Sequence, residues 1–136
     1  MLLVGPGEMN LEQVLQKMQE KLGGDPYPMR LLGQLVPQGV MDQARSSQFV
    51  ETLPAIPMKY KMLMYVTAAA ALGSEYCTKV YAQRAMREGA TAQEIMEAVL
   101  IARFVSASTV FATAIPTMEM LLNSTPKEGG DVKSWK

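Results

Sequence analysis

The feature that most restricts the fold of this chain is the spacing of its apolar residues, which recur every three or four positions in each long segment. One such stripe, within the first clear helical segment, consists of Leu11, Val14, Leu15, Met18 and Leu22. No segment alternates apolar and polar residues in the way that a half-buried β-strand does. The sequence therefore predicts an all-α domain of about six or seven helices.

Capping residues, glycines and prolines mark where these helices begin and end. Asn10 and Gln13 have the spacing of a capping box, and the pair Gly23-Gly24 is typical of a helix end. The same kinds of signal predict later helix starts at Pro37, Pro57, Ser74 and Thr91. We therefore expect short, well-delimited helices that pack against one another.

The predicted organisation is one helical domain with polar or irregular ends. The domain covers residues 10–123, after a flexible N-terminal segment at 1–9 and before a disordered tail at 124–136. The last helix is expected at 109–122, with a kink at Pro116.

Charge and hydropathy exclude several classes of function. Thirteen basic residues balance thirteen acidic ones, which argues against a nucleic-acid-binding protein. The apolar runs at 62–72 and 99–116 are interpreted as buried helices rather than membrane spans, because the first is short and Arg103 interrupts the second. Met1–Val4 is too short for a signal peptide. The sequence predicts a soluble, cytoplasmic protein that binds no membrane.

The chain has no histidine and one cysteine, Cys77. Without histidine, one chain cannot form a Ser-His-Asp or Cys-His site, and the commonest metal ligand is absent. A single cysteine also excludes an internal disulfide. No cofactor or metal is predicted.

Cys77 follows Ser74 at the expected first turn of a helix. Free backbone N–H groups and the helix dipole favour a thiolate at such a position, so Cys77 is a candidate nucleophile. The alternative is a small buried apolar residue. Ser74 is most simply a helix N-cap. Tyr81 lies one turn after Cys77 on the same helix face, where it would either contact a ligand or pack in the core.

The register of these residues continues beyond Tyr81, through Ala85 to Gly89-Ala90-Thr91. From Pro57 to Leu122 the chain resembles the carboxymuconolactone decarboxylase and alkylhydroperoxidase D superfamily. The resemblance implies a helical bundle that assembles as a homotrimer or homohexamer. For the redox branch it also implies a site in which one cysteine attacks a peroxide or a disulfide, a preceding cysteine resolves the intermediate, and a glutamate and a histidine relay protons.

This chain departs from that pattern at three positions. Ser74 stands at the first cysteine, Tyr81 at the histidine and Met62 at the glutamate, so that only Cys77 remains. Serine cannot form the resolving disulfide, and tyrosine, with a pKa of about 10, is a poor base near neutral pH. The family's dithiol cycle cannot run within one such chain.

Three functions remain open from the sequence. The first is weak or single-cysteine peroxide and thiol chemistry at Cys77, with an external thiol as reductant. The second is a non-catalytic oligomer that binds a small apolar ligand or serves as a scaffold. The third is a small-molecule lyase of the decarboxylase branch.

Three basic residues lie in or beside apolar helices, and the sequence predicts different surroundings for them. Lys59 and Lys61 are expected to be surface charges. Arg103 is expected to form a buried ion pair across a subunit interface or to anchor an anion in a pocket.

Overall fold

A computed structural model of the chain describes residues 9–124 and Pro126. The described residues contain no β-strand and form seven helices: α1 Leu11–Leu22, α2 Tyr27–Leu35, α3 Pro37–Thr52, α4 Met58–Ala71, α5 Glu75–Arg87, α6 Ala92–Thr113 and α7 Ile115–Ser124. The all-α prediction is confirmed. The predicted flexible segment at 1–9 and disordered tail at 124–136 fall, apart from Met9, Ser124 and Pro126, outside the described residues.

Local capping explains why the early helix boundaries could be read from the sequence. The Asn10 side chain accepts a hydrogen bond from the Gln13 backbone N–H at 2.8 Å, and the Gln13 side chain accepts one from the Asn10 N–H at 3.0 Å. Gly23 ends α1 with a φ of 73°, a left-handed conformation that costs glycine little. Thr91 and Glu94 form a second reciprocal pair before α6, with both distances 3.1 Å.

The final helix boundary differs from the sequence prediction. Helix α6 continues through Ser108 and Thr109. Their hydroxyls donate to the carbonyl oxygens of Phe104 and Ser106 in the preceding turn, so both side chains are accommodated inside the helix. Only Ala114 separates α6 from α7. Pro116 lies in the first turn of α7, where its missing N–H costs no helical hydrogen bond, and so it kinks no helix interior.

The described residues divide into two compact units, residues 9–102 and 103–124 with Pro126. In the first unit, α4 packs along α5. Met62, Ala85 and Ala90 form a buried cluster at this contact, with Met58, Leu63, Tyr65 and Ile95 packed against it. Fully buried Met62 and small Ala85 let the two helices approach closely. Both helices of this pair contribute residues to the cavity of the candidate site.

The second unit exposes large apolar side chains, including Phe104 (71%), Phe111 (72%) and Leu122 (75%). The expectation that the run at 99–116 forms a buried helix is therefore wrong for the described chain. By length and composition alone, helix 92–124 is apolar enough to cross a membrane, with a mean hydropathy of 1.8 and only 11% of the window buried. Helices covered by other protein subunits have the same composition.

Lys61 is buried, with 6% of its surface exposed, so the expectation of a surface charge is wrong for this residue. Its Nζ donates to the carbonyl oxygen of Val50 at 2.8 Å and to that of Leu53. These carbonyls end α3, where helical partners are missing and a cation complements the dipole. Lys59 is half-buried and pairs with Glu94 at 2.8 Å.

The substitution Lys61→Met is expected to lower the free energy of unfolding by about 1–2 kcal/mol, because two carbonyl oxygens lose their donor while the apolar stem is kept. Urea denaturation measures the change. Lys59→Met, two residues away in a solvent-accessible ion pair, is the matched control and should change stability little. Equal effects from the two substitutions would contradict the capping role.

Candidate functional site

A cavity of about 820 Å³ lies within the first unit, between α1, α3 and α5. Its volume falls within the range of small-molecule sites. Much of its lining is apolar, including Val14, Met18, Leu22, Met29, Val50 and Val80. The cavity therefore suits the apolar body of an organic molecule.

One face of α5 brings the chemically active side chains to this cavity. Cys77, Val80, Tyr81 and Arg84 all line it. Their spacing of three, four and seven residues places them in a single stripe. Because an α-helix rises 1.5 Å per residue, Cys77 and Arg84 are separated by about 10 Å along the helix axis.

Cys77 is half-buried and lines the cavity rather than being sealed in the core. Its backbone N–H donates to Oγ of Ser74 at 3.1 Å, which makes Ser74 the N-cap of α5. Ser74 is not among the cavity-lining residues. The structure thus brings Cys77 and Tyr81 to one cavity and leaves Ser74 beside it as a cap.

Met62 lies elsewhere. It is fully buried in the α4–α5 core and is not among the residues that line the cavity. The position at which the resemblance expects a glutamate is therefore occupied by a core side chain that cannot carry a proton.

Sequence reasoning missed a buried ion-pair network at the opposite end of the α5 stripe. Arg84 donates through Nη2 to Oε1 of Glu51, and Ser47 and Lys21 donate to Oε2, the latter at 2.9 Å. The Glu51 and Arg84 side chains are only 6% and 10% exposed. Two signals could have found them: Arg84 is seven residues after Cys77, and Glu51 is an acid in the last turn of α3, where the helix dipole opposes it.

The charge state of Glu51 follows from its partners. Burial alone would raise the pKa of this carboxyl, but hydrogen bonds from Arg84, Ser47 and Lys21 outweigh burial and hold the pKa below its usual value. Glu51 is therefore ionised at neutral pH, and its charge balances part of the positive charge of Arg84 and Lys21.

Two tyrosines contact each other at the cavity. The rings of Tyr65 and Tyr81 meet edge to face with centroids 4.9 Å apart, and both line the cavity. Burial raises the pKa of Tyr81, and negative charge at Cys77 raises it further. Burial and the charge of Glu51 likewise raise the pKa of Tyr65. Both phenols therefore keep their protons near neutral pH. In the described part of the chain neither hydroxyl makes a hydrogen bond and no buried side-chain oxygen lacks a partner, so both hydroxyls are accessible.

The site thus combines one accessible thiol, two phenol donors and a buried guanidinium. The described ranges hold no group of three or more cysteine, aspartate or glutamate side chains placed to bind a metal ion. The arrangement supports nucleophilic attack by sulfur with hydrogen-bond donation from a phenol.

Comparison with known proteins identifies a family. The sequence model of the carboxymuconolactone decarboxylase family matches residues 41–119, which include Cys77, Tyr81, Arg84 and Glu51. No curated protein sequence matches the chain.

Proposed function

This chain belongs to the carboxymuconolactone decarboxylase family, and within that family we propose that it is a single-cysteine thiol peroxidase acting on organic hydroperoxides. The observation that carries the proposal is the placement of half-buried Cys77 and Tyr81 on the wall of one cavity. A cysteine with a purely structural role would instead be packed among core side chains.

The proposed reaction has two stages. The Cys77 thiolate attacks the terminal oxygen of R–O–O–H, the O–O bond breaks, and the products are the sulfenic acid Cys–S–OH and the alkoxide RO⁻. The hydroxyl of Tyr81, which is protonated at neutral pH, donates a hydrogen bond to the departing oxygen, and water supplies the proton that completes ROH.

An external thiol completes the cycle because no second cysteine is present. One thiol condenses with Cys–S–OH to release water and form a mixed disulfide. A second thiol then releases Cys77 and leaves as the external disulfide. Such a cycle requires a reducing compartment, and we place the protein in the cytoplasm as part of this proposal.

The apolar lining supports an organic hydroperoxide over hydrogen peroxide, because only the former carries apolar surface to bury. The raised pKa values of Tyr65 and Tyr81 argue against the lyase alternative, since a phenol that holds its proton is a poor base near neutral pH. A binding role without chemistry would use the same cavity and would leave Cys77 unmodified.

The proposal is tested by exposing the protein to cumene hydroperoxide or hydrogen peroxide and measuring trapped Cys77 sulfenic acid by mass spectrometry. We expect faster oxidation by cumene hydroperoxide, no product in Cys77→Ser, and a rate about tenfold lower in Tyr81→Phe, equivalent to about 1.4 kcal/mol in the barrier. Ser74→Ala, which removes a cap outside the cavity, is the matched control and should retain most of the rate. A Cys77 that stays a free thiol while an exposed control thiol is oxidised would leave only the binding role.

We also propose that the chain self-associates as a homotrimer or homohexamer through residues 103–124. Large apolar side chains are exposed in this unit, including Phe104, Val105, Val110, Phe111, Ile115, Leu121 and Leu122. Apolar residues lie on all sides of the α6–α7 segment, a pattern typical of helices that other protein surfaces cover. Copies of the same chain are the proposed cover, with Arg103 pairing across the interface.

Light scattering coupled to size-exclusion chromatography should give a mass three or six times the 14.9 kDa of one chain. Phe111→Glu is expected to shift the mass towards the monomer, because a charge would enter the apolar contact. Glu119→Gln in α7 is a control that adds no charge. A monomer that floats with phospholipid vesicles would instead identify the apolar unit as a membrane-binding surface and would contradict the proposed oligomer.

A further inference from the structure

We propose that the natural ligand of the cavity carries a carboxylate attached to an apolar body, with the carboxylate bound by Arg84 and Tyr65 about two helical turns from Cys77. This inference rests on the proposed function and specifies its substrate class as a carboxylated organic hydroperoxide. It depends on the hydrogen-bonding capacity that the ion-pair network leaves unused.

Arg84 has more donors than its protein partners use. Its side chain is 10% exposed and lines the cavity, and its one hydrogen bond within the described residues joins Nη2 to Glu51. The Nε and Nη1 groups make no such bond, although a guanidinium offers five N–H donors in a planar fork. Since no buried side-chain nitrogen or oxygen among the described residues lacks a partner, these two groups are accessible, and a carboxylate in the cavity presents two acceptor oxygens in the matching geometry.

Tyr65 adds a further donor to the cavity wall. Its ring lies 4.9 Å from that of Tyr81, which is one turn before Arg84 on α5, and its hydroxyl makes no hydrogen bond within the described residues. Since the carboxylate of Glu51 already accepts from three side chains, the Tyr65 hydroxyl remains available for a bound acceptor.

The charge around the cavity favours an anion. The described charged residues that line it are Lys17, Lys21, Arg84 and Glu20. Adding Glu51, which pairs with Arg84 and Lys21, leaves three cations against two carboxylates. While Cys77 is a thiol, one positive charge therefore remains in excess, and a monocarboxylate would neutralise it.

The α5 stripe fixes the distance between the two ends of such a ligand. Arg84 and Cys77 share one face and are separated by about 10 Å along the axis, with Val80 between them. A carboxylate bound at Arg84 would thus direct its apolar chain along Val80. A hydroperoxide group farther along that chain would then lie at Sγ of Cys77.

Calorimetric titration of the full chain with decanoate and with decanol tests the inference, because the two probes share an apolar chain and differ at the head group. We expect decanoate to bind about tenfold more tightly, the effect of charge-assisted hydrogen bonds. Tyr65→Phe should weaken decanoate binding several-fold and decanol binding less, because an alcohol oxygen is a weaker acceptor than a carboxylate. Arg84→Lys should weaken decanoate binding about tenfold, because lysine keeps a positive charge for Glu51 but loses the fork.

Arg87→Lys is the matched control, since Arg87 lies one turn later on α5, is not among the residues that line the cavity, and donates to the carbonyl oxygens of Glu20 and Lys21. Equal affinity for decanoate and decanol, or decanoate binding that neither Tyr65→Phe nor Arg84→Lys weakens, would overturn the inference. If Arg84→Lys fails to fold, the comparison of the two probes and Tyr65→Phe decide the question.

The outcome is separable from that of the proposed function. Oxidation of Cys77 by neutral cumene hydroperoxide without a preference for decanoate would reject the carboxylate site and retain the peroxidase. Preferential decanoate binding at Arg84 with an unreactive Cys77 would retain the carboxylate site and reject the peroxidase.

Discussion

Replacing Glu51 with glutamine is expected to lower the free energy of unfolding by about 3–5 kcal/mol. The substitution keeps the shape of the side chain but leaves the charge of Arg84 uncompensated at a position where only 10% of its side chain is exposed. Glutamine also keeps only one acceptor oxygen, so the donor to Oε1 (Arg84) or the donors to Oε2 (Ser47 and Lys21) lose their acceptor. Chemical denaturation followed by circular dichroism measures the loss. It is a large fraction of the usual free energy of unfolding of a single domain.

A double variant separates loss of charge compensation from loss of shape. Glu51→Leu alone should be strongly destabilising, whereas Glu51→Leu combined with Arg84→Met should be less destabilised than Glu51→Leu, because no unpaired buried charge remains. Asp25→Asn, in the exposed pair with Arg30, provides a surface control and should change stability little. A double variant as unstable as the sum of its parts would contradict the electrostatic explanation.

The same pair gives stability a defined pH dependence. Because the pKa of Glu51 is lowered in the folded state, the unfolded chain binds a proton more readily than the folded chain as the pH falls. The contribution of Glu51 is therefore fully present well above its unfolded pKa of about 4.3 and is lost as the pH falls through the folded value. Denaturation midpoints below pH 5 should fall more steeply for the wild-type chain than for Glu51→Gln.

Restoring the family's glutamate by Met62→Glu is expected to destabilise the fold by about 3 kcal/mol or more, without increasing the rate of Cys77 oxidation. Met62 has no exposed surface and packs among apolar side chains, so a carboxylate at this position would be removed from water. Burial favours the neutral carboxyl, so the loss should be larger at pH 7 than at pH 5. Thermal unfolding at both pH values measures this difference.

Met62→Leu is the matched control for this substitution. It conserves volume and apolarity and should cost less than about 1.5 kcal/mol. If Met62→Glu instead retained stability and accelerated the oxidation of Cys77, position 62 would belong to the site, and the assignment of Met62 to the core would be wrong.

The early helices were predictable because the interactions that delimit them are local. The Asn10–Gln13 and Thr91–Glu94 capping boxes each join residues three apart, and Gly23 adopts its left-handed conformation at a position that its sequence context already marks. The boundary between α6 and α7 was placed incorrectly, because hydroxyl residues at 106–109 can bond back to their own helix as readily as they can end it.

The sequence by itself determined the all-α class, the family register around Cys77 and the shared helix face of Cys77 and Tyr81, because each depends on spacing within a few turns. Only the tertiary structure decided that Lys61 is buried, that Met62 is core, and that Glu51 and Arg84, 33 residues apart, form one ion pair. The cavity itself is formed between helices that are distant in the sequence. Such pairings depend on how separate helices pack, and helical periodicity identifies the face that a residue occupies but not the residue that it meets.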